Sequence, residues 1–497
     1  MAKSIIIIGS GMGGLAAGIY GQINGYETQI FEMHTKSGGQ CTAWQRKGYT
    51  FDVCIHHFFG CKPGTSAQRM WQELGALPRA LITIKECAAV ALPDEKMFID
   101  YYDLDRLRET LLNLSPADSK MIAQYIRLIK AFANKKIDDA MSSGSSWRMI
   151  GIFPWMVLNG KWMKMNMRTF AEQFSDPFLR KAFSLLIYAN PEAPLFFHLM
   201  RHVGGMNGDI QWPAGGASEF AKSIEERYLM LGGNIHFKSR VAQILVENDK
   251  AVGIKLADGS EHRADMILSN ADGRKTINEM LDGRYSNETV HGYCAPLQDE
   301  TPFAVDVFLG VNRDLSGEPS SLVLLLDPPV TIGNRNYESI EAQLYGFDKN
   351  MAPTGRGTIK VELTASYAHW KRLYDDREKY DQEKQQITEQ VIAILERHFH
   401  GIEKQVEIID VCTLLTWERY MGGTQGWFNL PNRKLDFTMR EELSDKKFKT
   451  TLPGLANFYF VGVWATAMGS LVHNALSGKT IIRRICRKDG KKFKTQP

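Results

Sequence analysis

The sequence predicts an α/β fold whose N-terminal part is a parallel sheet with helices packed against it. Three observations predict it: a β-branched run, a glycine-rich turn directly after it, and a short helix of small residues leading to a second strand. Ile5-Ile6-Ile7-Ile8 suits a buried parallel strand. It enters Gly9-Ser10-Gly11-Met12-Gly13-Gly14, which carries G-x-G-x-x-G at Gly9, Gly11 and Gly14. The first glycine permits a tight turn, the second lets the backbone approach a pyrophosphate, and the third lets the next helix pack close to the strand. A helix of small and apolar residues is expected from Leu15 to about Asn24, closed by Gly25. The second strand, Glu27 to Phe31, ends in Glu32, an acid placed to hold ribose hydroxyls. In this order the parts form a Rossmann-type βαβ unit, with phosphate charge at a helix N-terminus where free N–H groups and the dipole favour an anion.

A second glycine pair, Gly38-Gly39, selects FAD over NAD as the dinucleotide. It would pass under the flavin diphosphate, where a side chain would clash. The segment Arg46 to Asp52 follows it. Further on, Trp212-Pro213-Ala214-Gly215-Gly216 precedes a helix over about Ser218–Leu231. An extended stretch around Arg240–Ile244 and a hairpin-like segment, Ala251 to Leu256, turn at Asp258-Gly259, the makings of a three-stranded β-meander. Ala264 to Asp272, with Asn270, reads as a strand returning to the nucleotide. Near the C-terminus Phe458 to Val461 is a strand, Gly462 and Gly469 follow, and a last helix from about Leu471 to Ile485 can aim its N-terminus at the electron-rich end of an isoalloxazine ring.

Bulk properties bound the rest. A chain of 497 residues exceeds one simple core, so two intimately joined domains are expected. With 44% hydrophobic and 23% charged residues, disorder is not expected outside the ends. A net charge of +4, without basic patches interleaved with aromatics, argues against nucleic acid. The seven cysteines never form C-x-x-C, which fits a reducing compartment and speaks against a disulfide framework or a zinc site. The N-terminal apolar run of four residues is no signal peptide, and no stretch approaches the roughly 20 apolar residues of a membrane span. The expectation is a cytoplasmic protein, soluble or peripheral at a membrane.

These segments together resemble the carotenoid desaturase and isomerase group of FAD-dependent oxidoreductases, which includes bacterial phytoene desaturases, carotenoid isomerases and retinol saturases within the amine-oxidase superfamily. The resemblance covers nearly the whole chain and is strongest at 1–60, 210–275 and 410–485. It includes Thr416-Trp417-Glu418-Arg419-Tyr420 with Gly423 and Gly426. It implies an interleaved α+β substrate domain: FAD-binding segments at 1–84, 208–292 and 439–497, substrate segments at 85–207 and 293–438. It also implies that the backbone of Val241 contacts the adenine. The expected cofactor-binding set is Gly9, Gly11, Met12, Gly13, Gly14, Glu32, Gly38, Gly39, Gln40, Arg46, Val241, Asn270, Gly462, Val463, Gly469 and Leu471. Two positions depart from the group's pattern. Val463 stands where an aspartate usually bonds the ribityl chain, and Gln40 stands where arginine is common.

No second G-x-G-x-x-G is visible, so electrons would leave to a quinone, to oxygen or to a transient carrier, or return to the substrate. The implied activity is desaturation, saturation or isomerisation of C=C bonds in a long apolar isoprenoid- or polyene-like substrate. An oxidase or dehydrogenase of a smaller substrate such as an amine, and a non-catalytic prenyl-lipid carrier, are the alternatives on this architecture. Proton transfer would need an acid or base, and His56 and His57 follow the second glycine-pair segment. On a strand they would point to opposite sides, so at most one would face the ring. Tyr188, His198, Tyr420 and Trp427 are further wall candidates. A metal site from Cys54, His56 and His57 has poor spacing, and none is expected. The stretch Trp147–Met167 is apolar with flanking cations: a lid on the protein's own core, a membrane-interface segment, or the lining of an apolar tunnel's mouth. The basic tail from Arg483 to Lys494 is a solvated end or a binder of anionic lipid. Ile387, Val391, Ile394 and Leu395 mark an amphipathic packing helix.

Overall fold

The computed structural model describes residues 2–77, 80–92, 96–133, 154, 157, 159–295, 299–426, 450–466 and 469–497. The isoleucine run forms a strand, Ser4–Ile8, whose four isoleucines are all buried. It sits at the centre of a five-stranded sheet in the spatial order Asn234–His236, Glu27–Phe31, Ser4–Ile8, Met266–Ser269, Phe458–Phe460. Every pairing in it is parallel. A buried parallel strand needs apolar side chains on both faces, which the run supplies.

Helices Met12–Ile23 and Leu471–Lys488 pack against each other on this sheet through their smallest residues. A Cβ on Gly478 would lie 2.5 Å from the carbonyl oxygen of Gly13 and 2.6 Å from the amide nitrogen of Ala17. Helix Gly216–Met230 crowds the same helix from another side, with Tyr228 where a Cβ on Gly18 would be. The β-meander is present as Val241–Glu247, Lys250–Leu256 and Glu261–Arg263, all antiparallel.

The second body is a seven-stranded sheet ordered Val406–Cys412, Glu300–Val311, Gly357–Ser366, Arg335–Leu344, Ser321–Ile332, Glu86–Ala91, Met97–Tyr101. It is antiparallel apart from the parallel pair of Ser321–Ile332 with Glu86–Ala91. Helix Arg377–His398 buries Ile387, Val391, Ile394 and Leu395 against it, the packing role read from their spacing.

Two segments that the sequence left open take definite form, and a third does so only in part. The residues after Asp52 are not a strand up to His57, because Asp52 Oδ1 accepts hydrogen bonds from the amides of Cys54 and Ile55 and bends the chain; only Phe58–Phe59 is extended and paired. The basic tail keeps its cations in solvent, as read, while its backbone is fastened. Lys494 N–H donates to Asn24 Oδ1 (2.8 Å), Asn24 Nδ2 donates back to Lys494 O (3.0 Å), and Phe493 packs on Tyr20, while the cationic heads stay exposed. Most of the Trp147–Met167 stretch lies outside the described residues. The described Trp162, Met163 and Met165 pack against the protein's own apolar cluster. No described helix is long and apolar enough to cross a membrane.

Candidate functional site

One cavity of about 1130 Å³ runs from the glycine-rich turn into the space under the seven-stranded sheet. That exceeds the roughly 300–1,000 Å³ of ordinary ligand pockets. Its nucleotide end is built from local sequence. Gly9 (φ +91°) turns the chain, and Gly14 packs so close that a Cβ would lie 2.1 Å from Gly9 O. Gly11 is the extended N-cap of helix Met12–Ile23, which has no side-chain cap and no acid in its first turn. Free N–H groups are therefore left for an anion.

Glu32 closes this end. Its Oε2 accepts from Ser10 N–H (2.8 Å) and Ser10 Oγ (2.7 Å), and its Oε1 accepts from His34 N–H (2.8 Å). The carboxylate is thereby held rigid with capacity left for further donors. Gly38 (φ +113°) bridges to Gly11, and Gly38 N–H donates to Ser10 O (3.0 Å), so the second glycine pair lies beside the first turn. A side chain at Gly38 would run into Cys41 O at 2.3 Å.

Asn270 and Gly462 complete the crevice. A Cβ on Gly11 would sit 2.6 Å from Asn270 Nδ2, and one on Gly462 2.2 Å from Asn270 Oδ1. Gly462 N–H donates to Ser477 Oγ on the last helix (2.7 Å). Of the expected set, Gly9, Gly11, Met12, Gly13, Glu32, Gly38, Gly39, Gln40, Arg46, Val241, Asn270, Gly462, Val463, Gly469 and Leu471 all line the cavity, whereas Gly14 stands behind the turn. Arg46 is half-exposed, with its Nε 3.4 Å from Asp410 Oδ2. The uncapped helix start, the glycine cradle and the fixed acid fit a dinucleotide diphosphate and ribose.

Both histidines line the cavity. They differ in what holds them. His56 Nε2 is 2.7 Å from Glu362 Oε2, its Nδ1 is 3.2 Å from Cys54 O, and its ring meets Tyr188 edge-on. His57 Nε2 is buried with no hydrogen-bond partner among the described residues. Burial, with Arg201 and His56 nearby, pushes the His57 imidazole well below its usual range, so it is neutral.

Sequence reasoning missed the charges opposite. Lys360 and Glu362 project from one face of strand Gly357–Ser366, fully or almost fully buried, 3.0 Å apart. Burial opposes the Glu362 charge, but His56 and Lys360 outweigh it and hold the carboxyl at about 2. Asp306 on the neighbouring strand is pushed well up by burial and by Glu362. Two charged residues in an otherwise apolar, alternating strand were the available signal. Asn474 was missed too: it lines the cavity from the last helix, with Oδ1 buried and without a hydrogen-bond partner among the described residues.

Tyr188 and Tyr420 line the cavity, as read. His198 does not; it is fully buried elsewhere, 2.6 Å from Tyr125 Oη. Trp427 lies outside the described residues. All seven cysteines are free.

Comparison with known proteins agrees with this geometry. The family model for flavin containing amine oxidoreductases matches residues 12–481. Prolycopene isomerase 1, chloroplastic, of an Oncidium hybrid cultivar is 25% identical over 97% of this chain and 83% of its own. A lycopene-forming phytoene desaturase of Paracoccus sp. is 26% identical over 56% of this chain and 57% of its own. The crystal structure of an oxidoreductase from Methanosarcina mazei superposes with a TM-score of 0.60 at 18% identity, covering 97% of this chain and 100% of that one, which speaks to the fold alone.

Proposed function

The chain belongs to the flavin-containing amine oxidoreductase family and is an FAD-dependent oxidoreductase, and from that premise we propose that it desaturates, saturates or isomerises C=C bonds of a long apolar, isoprenoid- or polyene-like substrate. The observation that carries this reading is the cavity itself. Beyond the nucleotide crevice its wall continues through Phe58, Phe59, Tyr188, Phe197, Val411 and Trp417, a length of aromatic and aliphatic surface suited to an extended apolar chain. The names of the isomerase and desaturase relatives point the same way.

In this reading the uncapped turn at Gly11–Gly14 binds the diphosphate, Glu32 the adenosine ribose, and the backbone of Val241 the adenine. Gly38, Gly39, Gln40, Arg46, Gly462, Val463, Gly469 and Leu471 surround the remainder. Asn474 Oδ1 takes the place of the aspartate that Val463 replaces. When bound, FAD supplies hydride transfer at its ring nitrogen N5. The residues at 1–84, 208–292 and 439–497 form the cofactor body, and 85–207 with 293–438 the substrate body.

The protein's remaining task is to orient the polyene and to move a proton. His57, neutral and with its Nε2 uncommitted, is the acid/base. His56, tied at both nitrogens, positions the Cys54–Phe59 segment against the strand of Glu362. The expected outcome for His57→Gln is a kcat lower by about 10²–10⁴-fold with little change in KM. His56→Gln, by contrast, should disturb KM as well. Equal kcat in His57→Gln and wild type would remove His57 from this role.

The test of the function is anaerobic incubation of the FAD-loaded protein with an acyclic polyene, with the flavin oxidised in one arm and reduced beforehand by dithionite in the other, and with flavin absorbance and product mass recorded. Loss of two hydrogens identifies a desaturase, gain of two a saturase, and an unchanged mass with altered retention an isomerase. Bleaching by alkyl amines alone would reject the polyene reading in favour of an amine oxidase. A purified protein that neither holds nor takes up FAD would favour a lipid carrier.

A further inference from the structure

A second group of chemistry-bearing side chains lies apart from the cavity, where helix Leu195–Met206 crosses strands Glu86–Ala91 and Met97–Tyr101. His198 and His202 are four residues apart on one face of that helix, and both are fully buried. Asp100 and Cys87 face them from the antiparallel strand pair, inside the irregular register between Glu86↔Tyr101 and Ala89↔Ile99. Both are also fully buried.

Two imidazoles and the Arg201 guanidinium surround that carboxylate, yet none of them stands at ordinary hydrogen-bond length from it. Neither oxygen of Asp100 has a hydrogen-bond partner among the described residues, nor does either ring nitrogen of His202 or Nδ1 of His198. Burying a carboxylate unpaired is costly enough that proteins normally pair it or give it a metal. His198 Nε2 stands 3.7 Å from Asp100 Oδ2, and His202 Nε2 stands 3.5 Å from Asp100 Oδ1. These are too long for hydrogen bonds. They are, however, the separations of two ligands sharing one ion. Donors about 2.0–2.3 Å from a tetrahedral centre lie roughly 3.3–3.8 Å from one another. Ligating atoms of Cys87, Asp100 and His198 all fall within 4.8 Å of each other, and His202 stands outside that trio by the other oxygen of Asp100, where it would close the set as a fourth ligand.

We propose that Cys87 Sγ, Asp100 and the imidazoles of His198 and His202 form a tetrahedral site for a zinc-class divalent cation. The donor set mixes thiolate, carboxylate and imidazole, which suits a borderline ion and not magnesium or calcium. The two histidines match the His-x3-His spacing of zinc-binding helices. The ion clamps the helix to both strands. That helix also carries Arg201, whose guanidinium donates to the carbonyl oxygens of Cys87 and Leu186 and lies over the Tyr188 ring of the cavity wall.

A thiol must lose its proton to become a ligand, so loading releases one. Tyr125 Oη sits 2.6 Å from His198 Nε2, so its hydroxyl competes with an ion for that nitrogen. The ion and the thiolate and carboxylate charges cancel, leaving Arg201 as the local cation.

The test uses the full-length FAD-loaded protein, stripped with chelator and titrated with cobalt(II), then with zinc. The expected result is one equivalent bound per chain, with the visible bands of tetrahedral cobalt, a thiolate charge-transfer band, and about one proton released. Cys87→Ser should abolish the charge-transfer band, and His202→Gln should weaken binding at least tenfold. Tyr125→Phe should leave the stoichiometry intact and bind no more weakly than wild type. Flavin absorbance and far-UV circular dichroism report whether each variant folds. If Cys87→Ser and His202→Gln both fail to fold, the wild-type cobalt spectrum and proton count decide. No uptake by the wild type, a spectrum without thiolate character, or unchanged binding in folded Cys87→Ser and His202→Gln would overturn the proposal.

Discussion

Glu32 accepts hydrogen bonds from Ser10 and from the His34 amide, so its oxygens reach the cavity already oriented. Glu32→Ala should raise the FAD dissociation constant about 10- to 100-fold, the worth of a hydrogen bond to a charged group, measured by flavin fluorescence. Asn474→Leu should weaken FAD in the same assay, since a buried acceptor would be replaced by an apolar group. Glu362 carries a pH signature. Its folded-state value near 2 lies below that of an unfolded glutamate, so its contribution is present above about pH 4.5 and fades as pH falls toward 2. Glu362→Gln should therefore unfold at lower denaturant than wild type at neutral pH, and the gap should narrow across that acid window. Such contacts decide what the sequence could disclose. Glu32 was legible because its role follows from the turn 22 residues before it. The His56–Glu362 pair joins residues 306 positions apart, and nothing local marks one as the partner of the other.

At the scale of elements, the helix pair Met12–Ile23 and Leu471–Lys488 depends on having nothing at Gly478. Gly478→Leu has no room to be absorbed and should cost about 1–3 kcal/mol or more, lowering Tm by on the order of 5 °C in a thermal melt. Four strands of the parallel sheet were readable, Ser4–Ile8 from its β-branched run and the others from the turns beside them, whereas the short edge strand Asn234–His236 carries too little pattern to be read. The segment after Asp52 stayed open because its bend comes from one aspartate accepting two amide hydrogens, a turn that alternation of side chains does not reveal. The tail was legible in its solvated charges and not in what holds its backbone. Its charges do face water, as composition suggests, but Asn24 and Tyr20, nearly the whole chain away, fasten its backbone.

On the scale of the whole molecule, the parallel sheet is assembled from strands near residues 5, 30, 235, 268 and 459, interrupted twice by strands of the seven-stranded sheet. A ligand gripped across these segments should couple them, so saturating FAD should raise the melting temperature of the cofactor and substrate bodies in one transition, seen by following tryptophan fluorescence and far-UV signal together. Separate transitions would mean the two bodies are held apart energetically. The turn after strand Phe458–Phe460 and the start of the helix that follows supply one wall of the crevice. A dinucleotide gripped there would touch the phosphate turn near Gly11 and the residues from Gly462 to Asn474 at once. A chain folding from its N-terminal side would therefore hold half a crevice until those later residues arrive, its apolar face open meanwhile to whatever else the translating cell presents.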